Sequence, residues 1–397
     1  MTLLTGATVG ACLAYLAGLV LEQRRARRHR AALAHVVHVN GIRGKSSVSR
    51  LIDAGLRAGG LRVLTKTTGT RPRFIDVDGQ ERPVHRRGQA SIREQLATLR
   101  RAAQQGAEVL VVECMAVLPE YQEASEERML RADVAVITNV RPDHPEEMGA
   151  DLDDVAAALA LTLPTNGAAF TADAAYADVF AARAAGKGST CALAAPCHDD
   201  PPDFAENVGL ALAVCEHLGV PRPVALAGMR HYRRDPGVFA VQTQPTPCGG
   251  TLTVLNALAA NDPASAAQLL APAEAEGLFP SAADAAHRRL LLINNRYDRP
   301  ARTLQFVDFA LAHAERFDAF VLSGQARALV ARRLRRRGIA AERLLALKHF
   351  SDLPALPALP RQATVFAVGN IVGSGQARAP AAETAPRPHA TGNPDVR

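Results

Sequence analysis

The stretch His38-Val39-Asn40-Gly41-Ile42-Arg43-Gly44-Lys45-Ser46-Ser47 decides the fold of this chain. A β-rich run over residues 34–39 leads into it, and apolar residues at helical spacing follow it. The glycines allow backbone N–H groups to close around an anion, Lys45 adds a point charge, and the Ser46 hydroxyl suits Mg²⁺. The sequence therefore predicts a strand, a phosphate-binding loop and a helix, with a nucleotide phosphate as the ligand.

The loop is shorter than the full P-loop motif. That motif has a glycine five residues before Gly44, whereas this chain has Val39 there, which leaves the pattern G-x-x-G-K-S. An ordinary strand-to-helix turn is the alternative interpretation of such a string. The apolar residues of segment 48–56 recur at helical spacing directly after the loop, which favours a phosphate loop that opens a helix.

Strand and helix patterns alternate through the rest of the first 240 residues. Continuous apolar runs at residues 108–114 and 133–140 are typical of strands buried in a parallel sheet. Helical patterns occupy residues 93–107, 152–163 and 203–218. This alternation predicts an α/β fold with a doubly wound, mostly parallel sheet.

Changes in composition divide the chain into four predicted segments. Residues 1–30 are expected to form a membrane anchor with a basic juxtamembrane run, and residues 31–240 the domain that carries the loop. Prolines and glycines punctuate the chain between about 235 and 250, so residues 241–375 are predicted to form a smaller C-terminal α/β domain. Residues 376–397 have almost no large apolar side chain and are predicted to be disordered.

The N-terminal segment Leu3–Leu21 is 19 residues long and uncharged, which is enough to cross a bilayer core as a transmembrane helix. Five arginines follow within residues 22–30, and the positive-inside rule then places the later domains in the cytoplasm. We therefore expect a single-pass protein of the cell membrane, with a buried core helix as the alternative. The net charge is +7, of which +4 falls in residues 22–30, so nucleic-acid binding is not expected.

Polar side chains lie where two predicted strands end. Glu113 closes the first apolar run, Asn139 lies at the end of the second, and His144 follows it. Ligands of α/β sheets bind at the carboxyl ends of strands, so we expect these side chains beside the phosphate loop. A carboxylate suits Mg²⁺, whereas a histidine is a less usual ligand for so hard a cation. A surface charge and a loop histidine are the alternatives for Glu113 and His144 taken singly.

Several spaced motifs together resemble one known family, the Mur ligase superfamily of ATP-dependent amide-bond ligases. The residues within these motifs, together with the N-terminal apolar segment, are similar to those of its capsule branch, the ligase subunits of poly-γ-glutamate synthases. The resemblance covers about residues 1–375. The motifs are NGIRGKSSVSRLI (40–52), TKTTGTRPR (65–73), VVECM (111–115), TNVRPDHPEEMG (138–149) and AANDP (259–263).

This resemblance implies an ATP-dependent ligase that works with Mg²⁺. The γ-carboxylate of a chain-end glutamate would take the γ-phosphoryl group of ATP, and the amino group of another glutamate would attack the resulting acyl phosphate, leaving ADP and phosphate. The implied partners are glutamate, the growing poly-γ-glutamate chain and other membrane subunits of a synthase and export complex.

The resemblance also implies roles for individual residues. Lys45 corresponds to the lysine that holds the β- and γ-phosphates, and it is grouped with Glu113 and His144 as catalytic. The implied metal ligands are Ser46, Glu113 and His144. The implied nucleotide contacts are Asn40, Gly41, Arg43, Gly44, Lys45, Ser46, Ser47, Asn139, Asn207, Arg296 and Asp298.

The chain departs from the superfamily at one point. Many Mur ligases carry a carbamylated lysine after the helix that follows the histidine motif, and segment 161–167 contains no lysine. Two other functions remain open at this stage. One is a Mur-like ligase for another amino acid, and the other is a membrane-anchored ATPase or nucleotide-dependent regulator coupled to transport.

Overall fold

Alternating strands and helices build two α/β units, Met1–Pro236 and Gly237–Arg397. The computed structural model describes residues 2–69, 72–86, 88, 90–143, 145–149, 151–234, 239–258, 260, 262–275, 277–280, 286–297, 299–356, 359 and 361–369. The predicted disordered tail, residues 376–397, lies outside these described residues. The division into four segments stays a prediction.

The first unit contains nine α-helices and eight strands among its described residues. A π-helical turn, Ala124–Leu130, follows the fourth helix. The elements are α1 (Thr2–Ala31), β1 (His35–Asn40), α2 (Lys45–Ala58), β2 (Val63–Thr67), β3 (Arg73–Ile75), β4 (Glu81–Pro83), α3 (Glu94–Gln104), β5 (Val109–Glu113), α4 (Pro119–Glu123), β6 (Val134–Ile137), α5 (Pro145–Met148), α6 (Leu152–Leu159), β7 (Ala168–Thr171), α7 (Ala177–Ala185), β8 (Thr190–Leu193), α8 (Ala205–His217) and α9 (Arg222–Met229).

The strands of this unit form one sheet in the order β4-β3-β2-β5-β1-β6-β7-β8. The six strands from β2 to β8 in that order run parallel, so their carboxyl ends share one edge. Strands β3 and β4 add an antiparallel hairpin beside β2, which the sequence patterns did not predict. The edge that collects the ends of β1, β2, β5 and β6 is the edge at which the glycine loop leaves the sheet.

Helices cover both faces of this sheet, as a doubly wound fold requires. Val37 and Val39 of β1 pack on one face with Leu51 of α2 and with α8 and α9. Val36 packs on the opposite face with Leu99 of α3. Each fully buried side chain of this kind contributes about 1.5–3 kcal/mol to the free energy of folding. Because successive valines of β1 point to opposite faces, the strand holds a helix layer on each side of the sheet. The predicted doubly wound, mostly parallel sheet is confirmed.

The second unit is a smaller α/β layer structure. Its sheet has the strand order β13-β12-β11-β14-β10-β9, in which only the β9–β10 pair is antiparallel. Phe306, Phe320 and Phe366 are buried on one face of this sheet. The elements are β9 (Ala240–Pro245), β10 (Thr251–Asn256), α10 (Pro263–Ala275), β11 (His287–Asn295), α11 (Pro300–Ala312), β12 (Ala319–Gly324), α12 (Arg327–Arg336), β13 (Leu344–Ala346) and β14 (Gln362–Gly369).

The predicted N-terminal transmembrane helix is not found. Residues Thr2–Ala31 do form one helix, α1. Within the part of the chain that the structure describes, however, no helix is both long enough and apolar enough to cross a membrane. The side chains of residues 1–9, 11 and 12 lie outside that part. The C-terminal end of α1 is joined to the unit by Arg30, whose Nη2 lies 2.6 Å from Oδ2 of Asp133.

One ion pair is buried beneath the glycine loop. His38 of β1 is fully buried, and its Nδ1 lies 2.9 Å from Oε2 of Glu126 in the π-helical turn. The other oxygen of Glu126 accepts a hydrogen bond from the Ala132 N–H at 2.8 Å. Burial alone would lower the pKa of His38, but the Cys114 and Glu126 side chains raise this pKa to about 10. The imidazole is therefore charged at neutral pH and paired with a carboxylate.

The substitution Glu126→Gln should lower the free energy of unfolding by about 3 kcal/mol near neutral pH, because it removes the counter-charge of a buried cation. Since the folded-state pKa of His38 lies above its ordinary value of 6.5, the stabilisation is complete below pH 6.5 and is lost as pH rises through about 10. Urea unfolding of both proteins at several pH values in this range measures the difference.

Glu127→Gln is the matched control, because Glu127 pairs with Lys187 on the surface at 3.1 Å and is half exposed. A surface pair of this kind is worth under about 1 kcal/mol, so this variant should unfold almost as the wild type does. A loss in the Glu126 variant that stays constant between pH 6.5 and 10 would contradict a charged His38.

Candidate nucleotide-binding site

The loop between β1 and α2 depends on two glycines with left-handed backbone geometry. Gly41 has φ +119° and Gly44 has φ +84°, a region that other residues rarely adopt. Space also requires glycine, since a Cβ at Gly41 would lie 2.1 Å from Oγ1 of Thr138, and one at Gly44 would lie 2.8 Å from Oδ1 of Asn207. The loop therefore turns directly into α2, whose N-terminal N–H groups and positive dipole end suit an anion.

Asn139 and Thr138, at the end of β6, hold this loop in place. Oδ1 of Asn139 accepts a hydrogen bond from the Arg43 N–H at 3.0 Å, and Nδ2 of Asn139 donates to the Arg43 carbonyl at 3.0 Å. The Thr138 hydroxyl donates to the same carbonyl at 2.6 Å. The Arg43 side chain pairs with Asp143 at 2.9 Å. The Asn139 side chain thus bonds both the N–H and the carbonyl of Arg43, which fixes the loop backbone at that residue.

Lys45, the first residue of α2, curls back over the loop. Its Nζ donates to the Gly41 carbonyl at 2.6 Å and to the Ile42 carbonyl at 3.3 Å. Burial lowers the pKa of Lys45, and the carboxylate of Glu113 acts in the opposite direction. An anionic phosphate in the loop would favour the charged ammonium in the same way as Glu113 does.

Ser46 and Glu113 meet at the junction of α2 and β5. The Ser46 hydroxyl donates to Oε2 of Glu113 at 2.8 Å, and the Thr68 N–H donates to the same oxygen at 2.6 Å. Glu113 is buried, and β5 is in register beside β1 so that Val39 faces Glu113. A hydroxyl and a carboxylate side by side near a phosphate loop are a donor set that suits a hard divalent cation, which usually takes few protein ligands and keeps phosphate and water oxygens.

The third expected metal ligand cannot be placed, because His144 lies outside the described residues. Among the residues that are described, no group of three or more His, Cys, Asp or Glu side chains is arranged to hold a metal ion. Of the three expected ligands, the described part of the chain therefore shows Ser46 and Glu113 side by side.

Asn40 and Ser47 flank the loop, since Asn40 is the last residue of β1 and Ser47 lies in the first turn of α2. Nδ2 of Asn40 donates to Oε1 of Gln122 at 2.8 Å and to the Thr162 hydroxyl at 3.2 Å, in a buried network. Thr162 belongs to segment 161–167, where the sequence has no lysine. Ser47 is buried in α2. The Asn40 amide therefore braces the end of β1 against α4 and the segment after α6.

Asn207 of α8 reaches the loop from the other side and lies over Gly44. Its Nδ2 donates to Oδ1 of Asp203 at 2.9 Å, and the hydroxyl of Tyr232 donates to the other oxygen of Asp203. Burial raises the pKa of Tyr232, and the Asp203 charge raises it further, so the phenol stays protonated. Asp203 and Tyr232 were not predicted, and the sequence contains no motif signal for either.

Lys66 lies in the motif at residues 65–73, and it was not predicted to be a site residue. It lies near the end of β2, is fully buried, and has its Nζ 3.1 Å from Oε2 of Glu94. Burial lowers the pKa of Lys66, which the Glu94 carboxylate counteracts. The sequence signal for it was its place in the motif at residues 65–73, next to two threonines.

The remaining predicted contacts belong to the second unit. Arg296 follows β11, and its carbonyl accepts a hydrogen bond from the Thr303 hydroxyl at 3.4 Å. Asp298 lies outside the described residues. Within the first unit, the described residues that lie together around the loop are Gly41, Arg43, Gly44, Lys45, Ser46, Glu113, Asn139 and Asn207.

Replacing Asn139 by alanine should weaken ATP binding by about tenfold, because both hydrogen bonds to the Arg43 backbone are lost and the loop is no longer preorganised. Asn139→Asp keeps the acceptor for the Arg43 N–H, but it turns a carboxylate oxygen towards the Arg43 carbonyl and adds a negative charge beside the phosphates, so it should bind no more tightly than the alanine variant. Calorimetric titration with a non-hydrolysable ATP analogue measures all three proteins. Wild-type affinity in the alanine variant would show that the two Asn139 hydrogen bonds do not shape the loop for ATP.

Comparison with known proteins agrees with this geometry. Residues 39–200 match the Mur ligase middle domain, and residues 243–384 match the poly-gamma-glutamate synthase CapB C-terminal domain. PGA synthase CapB of Bacillus subtilis (strain 168) is 32% identical over 379 residues, which cover 92% of this chain and 94% of that protein. The capsule biosynthesis protein CapB of Bacillus anthracis is 31% identical over 387 residues, covering 93% and 81% respectively.

The fold is also found in a solved ligase structure. A bifunctional folylpolyglutamate synthase/dihydrofolate synthase with Mn, AMPPNP and L-glutamate bound has a TM-score of 0.66 to this chain at 18% identity, covering 89% of this chain and 91% of that one. At this identity the likeness concerns the fold alone. The identity to the Bacillus subtilis protein extends over nearly the full length of both chains, and so this chain belongs to the CapB family, with a Mur ligase middle domain followed by a CapB C-terminal domain.

Proposed function

We propose that this protein is an ATP-dependent, ADP-forming ligase that extends poly-γ-glutamate. The observation that carries the proposal is the junction of Lys45, Ser46 and Glu113 at the N-terminus of α2, within a chain of the CapB family. A carboxylate is a poor electrophile, and transfer of the γ-phosphoryl group of ATP converts the γ-carboxylate of a glutamate into a mixed anhydride. The amino group of a second glutamate then attacks that carbonyl and displaces phosphate.

The described residues supply charge and position for this phosphoryl transfer. The loop N–H groups and the start of α2 bind the phosphates, and Lys45 neutralises part of the charge that builds on the β- and γ-oxygens. Ser46 and Glu113 would hold the divalent cation, which we take to be Mg²⁺. When bound, such a cation screens the phosphate oxygens from the incoming carboxylate. Asn139 keeps the Arg43 backbone, and with it the loop, in the geometry for binding.

The substitution Lys45→Ala should lower glutamate-dependent ADP release by about 10²–10³-fold, because a preorganised charge on the transferred phosphoryl group is lost. Lys187→Ala is the matched control, since this lysine pairs with Glu127 on the surface, and it should turn over at the wild-type rate. A coupled assay for ADP, with and without glutamate, measures both. Equal turnover in the Lys45 variant would refute the site, and turnover indifferent to glutamate would favour a transport-coupled ATPase.

We also propose that the protein works at the cell membrane with its two α/β units in the cytoplasm, next to other membrane subunits that export the polymer. Helix α1 supports this, because several of its described apolar side chains are exposed. Leu13 is 62% exposed, Tyr15 68% and Leu16 55%. The arginine run that follows suits an anionic lipid surface.

Deleting residues 2–22 should move the protein from the membrane fraction to the supernatant, because the apolar segment and its exposed face are removed together. Ultracentrifugation of lysates followed by detection of the protein measures the partition. The truncated protein should keep ADP release, which shows that it is folded. Continued pelleting of an active truncated protein would contradict attachment through α1.

A further inference from the structure

We infer that Arg50 and Arg73, together with Thr67, bind the α-carboxylate of the glutamate unit whose γ-carboxylate is phosphorylated. The inference rests on the proposed function, which it deepens by naming the residues that select the γ position. Arg50 belongs to the first family motif, in α2, while Thr67 and Arg73 belong to the second, in β2 and β3. None of the three has a role in the phosphate site.

Arg50 is buried, and the nitrogens that carry three of its five N–H donors have no hydrogen-bond partner among the described residues. The residue is only 2% exposed, and its Nη1 contacts Glu81 of β4 and donates to the Arg233 carbonyl at 3.3 Å. Its Nε and Nη2 are buried without a hydrogen-bond partner. These two groups lie on one edge of the guanidinium and match the two oxygens of a carboxylate. Leaving such charged donors unpaired is costly, so this edge fits an anionic ligand.

Two other arginines of the same unit show which group binds the Nε–Nη2 edge of a guanidinium in this fold. Arg57 uses its Nε and Nη2 on the two oxygens of Asp53, at 2.8 and 3.1 Å. Arg101 uses the same two atoms on Asp76, at 2.7 and 2.6 Å. Arg50 has the same edge buried, and no carboxylate of the described residues lies on it, which points to a carboxylate brought by a substrate.

Thr67 and Arg73 complete the site from the neighbouring hairpin. They are partners across the antiparallel β2–β3 pair, and so their side chains lie on the same face of the sheet. Thr65, two residues before Thr67 on that face, donates its hydroxyl to Asp53 of α2 at 2.7 Å, which identifies the face as the one that packs on α2. The Thr67 hydroxyl and Nε of Arg73 are both buried without a partner. Arg73 as a whole is half-buried, so part of the residue is in contact with solvent although its Nε is not.

The position of the site relative to the phosphate loop decides which carboxylate it receives. Arg50 lies one helical turn after Ser46, about 6 Å along the axis of α2. Thr67 precedes Thr68, whose N–H is bonded to Glu113. The two carboxyl carbons of an extended glutamate are about 5 Å apart. A glutamate held by its α-carboxylate at Arg50 and Arg73 therefore presents its γ-carboxylate to the phosphate site.

Binding of a γ-linked glutamate trimer tests this assignment separately from catalysis. Calorimetric titration, with AMPPNP and Mg²⁺ present, is done on the wild type and on Arg50→Lys and Arg73→Lys, which keep the charge but lose the two-point contact. The dissociation constant for the trimer should rise at least about tenfold in each variant, while that for AMPPNP stays within about twofold. A trimer whose terminal α-carboxylate is a carboxamide should bind the wild type as weakly as the normal trimer binds the variants.

Arg101→Lys is the matched control, because it weakens a two-point arginine–carboxylate pair of the protein itself and should leave trimer binding unchanged. Unaltered trimer binding in both Arg50 and Arg73 variants would overturn the inference. So would an equal loss of AMPPNP affinity, which would assign the site to a phosphate. If the expected binding pattern appears but the wild type releases no ADP with glutamate, the carboxylate site stands and the proposed ligase reaction fails.

Discussion

The two hydrogen bonds that meet at one oxygen of Glu113 are the constraint on which the rest of the site depends. They join the first turn of α2, through Ser46, to the chain that leaves β2, through Thr68. Glu113 itself ends β5, the strand that lies between β2 and β1 in the sheet. Three segments far apart in sequence are thereby held at one point of the sheet edge. The start of α2 after the phosphate loop and the chain that leaves β2 are both fixed to it.

Much of the first unit was predictable because its physical signals are local. The apolar run before the loop predicted β1 to within one residue, and the helical spacing after the loop predicted α2 to within three. The buried runs predicted β5 and β6. Gly41 and Gly44 were found from the motif, and their backbone angles show why no other residue fits. These inferences need only the chain's own periodicity and its glycines.

What escaped prediction depends on contacts between distant segments. Asn40 stays a predicted nucleotide contact, but the bonds from its Nδ2 to Gln122 and Thr162, about 80 and 120 residues away, were not predicted. The unpaired edge of Arg50 is invisible in a sequence, since it exists only because Glu81 and Arg233 take the other side of the guanidinium. The hairpin of β3 and β4 has three-residue strands, too short for any alternation to show.

The contacts of Lys45 have a consequence for the entropy of anion binding. Its ammonium donates to two carbonyls of the loop, so a long side chain is held in one conformation by the backbone beside it. A lysine that is free to rotate would lose up to about 2 kcal/mol of rotamer entropy when a ligand fixes it. Much of that ordering is already present in the folded loop, and an anion that binds there has correspondingly less side-chain freedom to remove.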